Sequence, residues 1–163
     1  VKVTKNRVLI VAVRHGRVAV IFLHEGQPTH WALSVKAARS AKEARGFLGA
    51  WMGRHEPSVV VLENPRSTKR KGKRATTILT ALQQFADTSP AMLALACRMQ
   101  HHPNVYAEAA AFAAAYPQMA EKLPTERKPW ESEPRNIIFV EALALAQNVG
   151  FLPLDLPDPR DGI

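Results

Sequence analysis

Val59-Val60-Val61-Leu62-Glu63-Asn64-Pro65 decides how the rest of the chain is read. From Ser58 to Leu62 the run offers no polar face, so a strand here is apolar on both sides. Such strands lie inside sheets covered by helices and are usually reached through a crossover helix. The run ends on Glu63, which places a carboxylate at the carboxyl end of a buried strand, and Asn64-Pro65 closes it.

Upstream, Arg7 to Val13 and Arg17 to Leu23 are β-branched runs split by Arg14-His15-Gly16, the pattern of a hairpin. A turn over Gln27 to His30, with Pro28, leads to a third antiparallel strand at Trp31 to Val35. Residues 39 to 55 switch to helical spacing through Ala44, Phe47, Leu48, Trp51 and Met52. This is the crossover that the 58–62 strand requires.

Downstream, Arg66-Ser67-Thr68-Lys69-Arg70-Lys71-Gly72-Lys73-Arg74 has no apolar residue. Thr76 or Thr77 is expected to cap a helix running to Phe85, and Pro90 to start another that ends near Met99. Asn104 to Ala107 reads as a short strand, and Ala109 to Tyr116 as a small-residue helix on the sheet. Pro117 to Trp130 reads as a mobile connection. Pro134 opens a last helix with the stripe Ile137, Ile138, Leu145 and Val149, and Gly150 ends it. The expected organisation is one domain over residues 1–150 and a tail over 151–163, with no internal repeat.

Twenty-two Lys and Arg against 14 Asp and Glu give a net charge of +8, which favours a polyanionic partner over a charge that serves only solubility. Cys97 is the only cysteine, so an intrachain disulfide and a cysteine-based zinc site are excluded. A single thiol fits a reducing cytoplasm, and its apolar neighbours Leu95, Ala96 and Met99 suggest a small buried side chain. Lys2, Lys5 and Arg7 precede an apolar run that Arg14 to Arg17 interrupts, which argues against a signal peptide. No stretch approaches the roughly 20 apolar residues that span a bilayer, so no membrane partner is expected. His101-His102 lacks metal-ligand spacing. Trp31 and Trp51 read as core or loop anchors, whereas Trp130 beside Arg127 and Lys128 is the best candidate for base stacking.

The order of three antiparallel strands, a helix, a buried strand ending in Glu, then alternating elements and a final helix resembles the ribonuclease H-like superfamily. Within it, residues 7–150 are most similar to the RuvC-type Holliday junction resolvases. Val59-Val60-Val61-Leu62-Glu63 looks like the strand that ends in that group's metal-binding glutamate. Glu141-Ala142-Leu143-Ala144-Leu145-Ala146 looks like its final helix, where an acid precedes alternating Ala and Leu. No glycine-rich phosphate loop follows the first strand, which sets the chain apart from the actin-like ATPases of the same superfamily.

The resemblance implies an α/β fold whose mixed sheet joins antiparallel hairpin strands to parallel ones, with helices on both faces. It implies phosphodiester cleavage by two Mg²⁺ or Mn²⁺ ions about 4 Å apart, held by carboxylates. Glu63 and Glu141 would be catalytic residues and metal ligands. Arg66, Lys69, Arg70, Lys71, Lys73 and Arg74, with Arg127 and Lys128, would touch nucleic acid, DNA rather than RNA. A homodimer is also allowed, since resolvases cut two strands symmetrically.

The carboxylate set is incomplete. The group's first aspartate falls at Ala12 or, in a shifted alignment, at Arg14, and the first 86 residues hold no aspartate. A second acid expected one turn before Glu141 is Ile138. Of the nearby Glu131 and Glu133, the latter would lie about 12 Å from Glu141 along a continuous helix. More ordinary roles remain open: Glu63 as acceptor for a turn, Glu141 as a partly exposed helix residue, and the basic run as a solvated loop. The expectation is therefore a nucleic-acid-binding domain with weak or lost nuclease activity. The alternatives are an active Mg²⁺-dependent endonuclease on branched DNA and a protein-interaction scaffold.

Overall fold

A computed structural model of the chain describes residues 6–14, 16–67, 71–99, 102, 104–125 and 136–154. The apolar run forms β4 (Val59–Glu63), every residue of which is buried. It lies parallel to β1 (Arg7–Arg14), with Val8 beside Val59 and Val11 beside Leu62. β1 pairs antiparallel with β2 (Arg17–His24) from Arg7–His24 to Arg14–Arg17, the hairpin the sequence predicts. β3 (Gln27–Ser34) extends the sheet antiparallel to β2.

The turn before β3 differs from the predicted one. It sits at Glu25-Gly26, whose φ angles of 51° and 78° are the paired left-handed conformations of a tight two-residue hairpin. Pro28 therefore falls inside β3, which is an edge strand with a bulge opposite Phe22/Leu23. On an edge, the missing N–H costs no ladder bond.

α1 (Ala41–His55) is the crossover helix, capped by Ser40, whose hydroxyl accepts from the Glu43 amide at 3.1 Å. α2 (Lys73–Asp87) starts earlier than predicted, at Gly72. Thr76 and Thr77 are not at the cap position but inside the helix, where their hydroxyls donate back to the carbonyls of Gly72 and Lys73.

The helix predicted from Pro90 to Met99 is instead β5 (Met92–Ala96), parallel to β4 from Val59–Met92 to Glu63–Ala96. A short apolar run has no periodicity that separates strand from helix, and the free pairing edge of β4 settles it. The strand predicted at Asn104 to Ala107 is the start of α3 (Val105–Ala115), because the Asn104 side chain accepts from the amides of Tyr106 and Ala107 at 3.0 and 2.9 Å. The expected mobile connection begins as an ordered 3-10 segment, Pro117–Lys122, that buries Met119.

α4 (Ile137–Asn148) carries no amphipathic stripe; every residue from Ile137 to Gln147 is buried. After Gly150, Leu152 returns to the core. Cys97, read as a core residue, is exposed just beyond β5.

The sheet order is β3-β2-β1-β4-β5. Val8, Ile10, Ala12, Val59 and Val61 face α3 and α4, while Leu9, Val11, Val13, Val60 and Leu62 face α1 and α2. This is the α/β mixed sheet with helices on both faces that the resemblance implies. No described helix is long and apolar enough to cross a membrane.

Candidate functional site

Strand alternation puts Glu63 on the same side of β4 as Val61, and Arg14 on the same side of β1 as Ala12. Both residues end their strands, and both face α4, which contributes Glu141. The Glu63 and Glu141 side chains are buried although no apolar group requires it. Each carboxylate must therefore find a partner or lose its charge.

The partners are cations of the chain itself. Lys71 Nζ donates to Glu63 Oε2 at 2.7 Å, to Glu141 Oε2 at 3.1 Å and to the Val13 carbonyl at 3.0 Å. These three acceptors match the three protons of an ammonium. Arg14 Nη1 donates to Glu141 Oε1 at 3.0 Å. A third pair lies beyond β5, where Arg98 Nη2 and Nη1 reach Glu108 Oε1 and Oε2 at 2.5 and 3.3 Å, and Glu108 is fully buried.

Burial pushes the Glu63 carboxyl above its ordinary range, more strongly than Lys71 lowers it through its charge and hydrogen bond. Glu141 adds to the rise, and the Arg98 charge opposes it. Glu108, Glu63 and Glu141 are thus matched by Arg98, Lys71 and Arg14, three carboxylates to three cations.

These residues do not fit a divalent ion. The two carboxylates that would hold it converge on one point, and the Lys71 ammonium stands there. A divalent ion about 4 Å away would be repelled by about 8 kcal/mol at an effective dielectric of 20. Ala12, level with Glu63 one step beyond the Val11–Leu62 pair, offers no oxygen ligand from its side chain. Among the described residues no group of three or more His, Cys, Asp or Glu could hold a metal.

The sequence-predicted residues therefore separate. Glu63 and Glu141 come together from opposite ends of the chain. Lys71, expected to contact nucleic acid, is turned inward, its side chain only 17% exposed. Burying two carboxylates demands a neutralising charge, and Lys71 is near enough to supply it. Arg66, Lys73 and Arg74 are exposed on the stretch from the end of β4 into α2, and Arg74 Nη2 donates to the Arg39 carbonyl at 3.2 Å. Lys69, Arg70, Arg127, Lys128, Trp130, Glu131, Glu133 and His101 lie outside the described residues.

Sequence reasoning missed Val13's carbonyl, the Arg98–Glu108 pair, and Arg14 as a partner rather than a misfit. The two-residue period of β1 placed Arg14 beside Ala12's face; nothing comparable singles out Glu108 in its alanine-rich surroundings. A cavity of about 740 Å³ between α3 and residues 117–125 is lined mostly by alanine and lies apart from the carboxylates.

The carboxylate centre lies at one end of the sheet, beyond the carboxyl ends of β1 and β4, where open α/β sheets place their ligands. The solved structures of similar fold include T. thermophilus RuvC in complex with Holliday junction substrate, 18% identical, covering 89% of this chain and 93% of that one at a TM-score of 0.54. A further Thermus thermophilus RuvC structure, 16% identical, gives 0.55 over the same shares. Fowlpox virus resolvase in complex with Holliday junction DNA, 11% identical, gives 0.52 over 88% of this chain and 99% of that one. No protein-family model matches the sequence, and no curated protein matches it. The likeness shows a RuvC-type ribonuclease H-like fold.

Proposed function

We propose that the chain binds nucleic acid, branched or duplex DNA before RNA, along the edge that carries the carboxylate centre, with weak or lost nuclease activity. The observation that carries this reading is the Lys71 ammonium shared by Glu63 and Glu141. In a phosphodiesterase of this fold, uncompensated carboxylates at this position would draw metal ions to activate water and stabilise the leaving oxygen. Here lysine and arginine neutralise them, so the edge no longer repels phosphate and has nothing to activate water.

The rim supports binding. Arg17 on β2, Arg39 before α1, Arg66 after β4, and Lys73 and Arg74 in the first turn of α2 are exposed or partly exposed cations on segments that adjoin the centre in the chain. The fold's solved examples with Holliday junctions support a branched substrate. A homodimer would present two such edges to a junction, and the lone cysteine fits a cytoplasmic setting. A nuclease that completes its metal set with an unforeseen ligand is the competing reading, favoured by the survival of both buried carboxylates.

The test is to incubate the protein with four-way junctions and duplexes in millimolar Mg²⁺ or Mn²⁺. The expected result is a shifted but uncut substrate. Robust cleavage that Glu63→Gln abolishes would establish the competing reading instead.

A further inference from the structure

We infer that Lys71 is an internal substitute for a divalent cation, and that its ammonium keeps an oxygen cradle of Glu63, Glu141 and the Val13 carbonyl closed to metal. This rests on the reading above that the centre works without a metal, and it adds a ligand, the Val13 backbone, and a residue that determines the choice of cation.

The three oxygens lie 2.7 to 3.1 Å from one nitrogen. They come from β1, β4 and α4, elements joined through the sheet and core, so the cradle is fixed by the fold rather than by the lysine. Lys71 reaches it from outside the sheet, on the segment between β4 and α2. Methionine at this position is one atom shorter than lysine and uncharged, so it leaves the ammonium's position open. Two buried carboxylates and a carbonyl would then face one another with nothing between them but the partial relief that Arg14 gives Glu141. A hard cation is the ligand such an oxygen set selects.

The probe is Mn²⁺, titrated into the full chain and followed by calorimetry and by the electron paramagnetic resonance of free Mn²⁺. The parent and Lys71→Arg should bind no Mn²⁺ at this site in the micromolar range. Lys71→Met should bind one ion per chain at least about tenfold more tightly than the parent, and should melt higher in Mn²⁺ than in EDTA. Adding Glu141→Gln should remove both effects.

If Lys71→Met is unfolded in EDTA, Mn²⁺ should restore its fold, because metal binding is then coupled to folding. A folded Lys71→Met that binds no Mn²⁺, an unfolded one that Mn²⁺ does not rescue, or a parent that binds Mn²⁺ as tightly as the variant would overturn the inference. DNA binding by the parent in EDTA is measured separately. Its failure would remove the proposed function while leaving the cation cradle standing.

Discussion

Glu63 sits between two opposing pressures, the loss of water around a buried carboxylate and the ammonium 2.7 Å away. Burial wins, so the folded protein keeps the Glu63 proton to a higher pH than the unfolded chain does. Between those two values the folded state binds the extra proton, and stability falls as pH rises through the interval. Above the folded value the penalty is complete. Removing Lys71 removes both of its lowering effects, so the interval should widen upward. Carboxyl ¹³C shifts should show a Glu63 midpoint above the usual glutamate range in the parent, and a higher one in Lys71→Met measured in EDTA. A midpoint that stays put or falls would mean that the ammonium does not serve Glu63.

The elements that were legible in the sequence are those whose pattern has one solution. Six consecutive apolar positions on each side of a glycine turn could only be a hairpin, and an apolar run ending in Glu63 could only be an inner strand. β5 and the start of α3 were misread because their outcome is settled elsewhere: β5 by the pairing edge of β4, and α3 by a side-chain cap on Asn104 that composition does not reveal. α4 looked amphipathic only because its alanines were not counted as core, yet small residues let it be enclosed on all sides.

The inner position of β4 has a measurable consequence. Val61 is fully buried beside Ile10 and Ala94 on neighbouring strands. Val61→Asp would place an unpaired charge there and cost about 4 kcal/mol or more, a large share of the roughly 5–15 kcal/mol of a typical domain. Thermal or urea unfolding checks it; a variant that melts like the parent would contradict the sheet order.

At the scale of the molecule, the sequence showed the sign of the charge and the approximate place of its surplus, and it brought Glu63 and Glu141 into one site across the chain's length. It did not show how the surplus is divided. Part of it is consumed inward, by Lys71, Arg14 and Arg98, because three buried carboxylates must be neutralised. Among the described residues close to the centre in the chain, Arg39, Arg66, Lys73 and Arg74 stay exposed and Arg17 partly so. That division turns on distances no pattern of residue types encodes, and under the proposed function it leaves phosphate to the outward cations rather than to Lys71.

The most direct test is the salt dependence of DNA binding in EDTA. Each phosphate neutralised contributes about 0.9 to the slope of log K against log salt. Replacing Arg66, Lys73 and Arg74 together with glutamine should flatten the parent's slope by about 2 to 3 units, while binding persists without metal. An unchanged slope, or binding that requires Mg²⁺, would contradict the account.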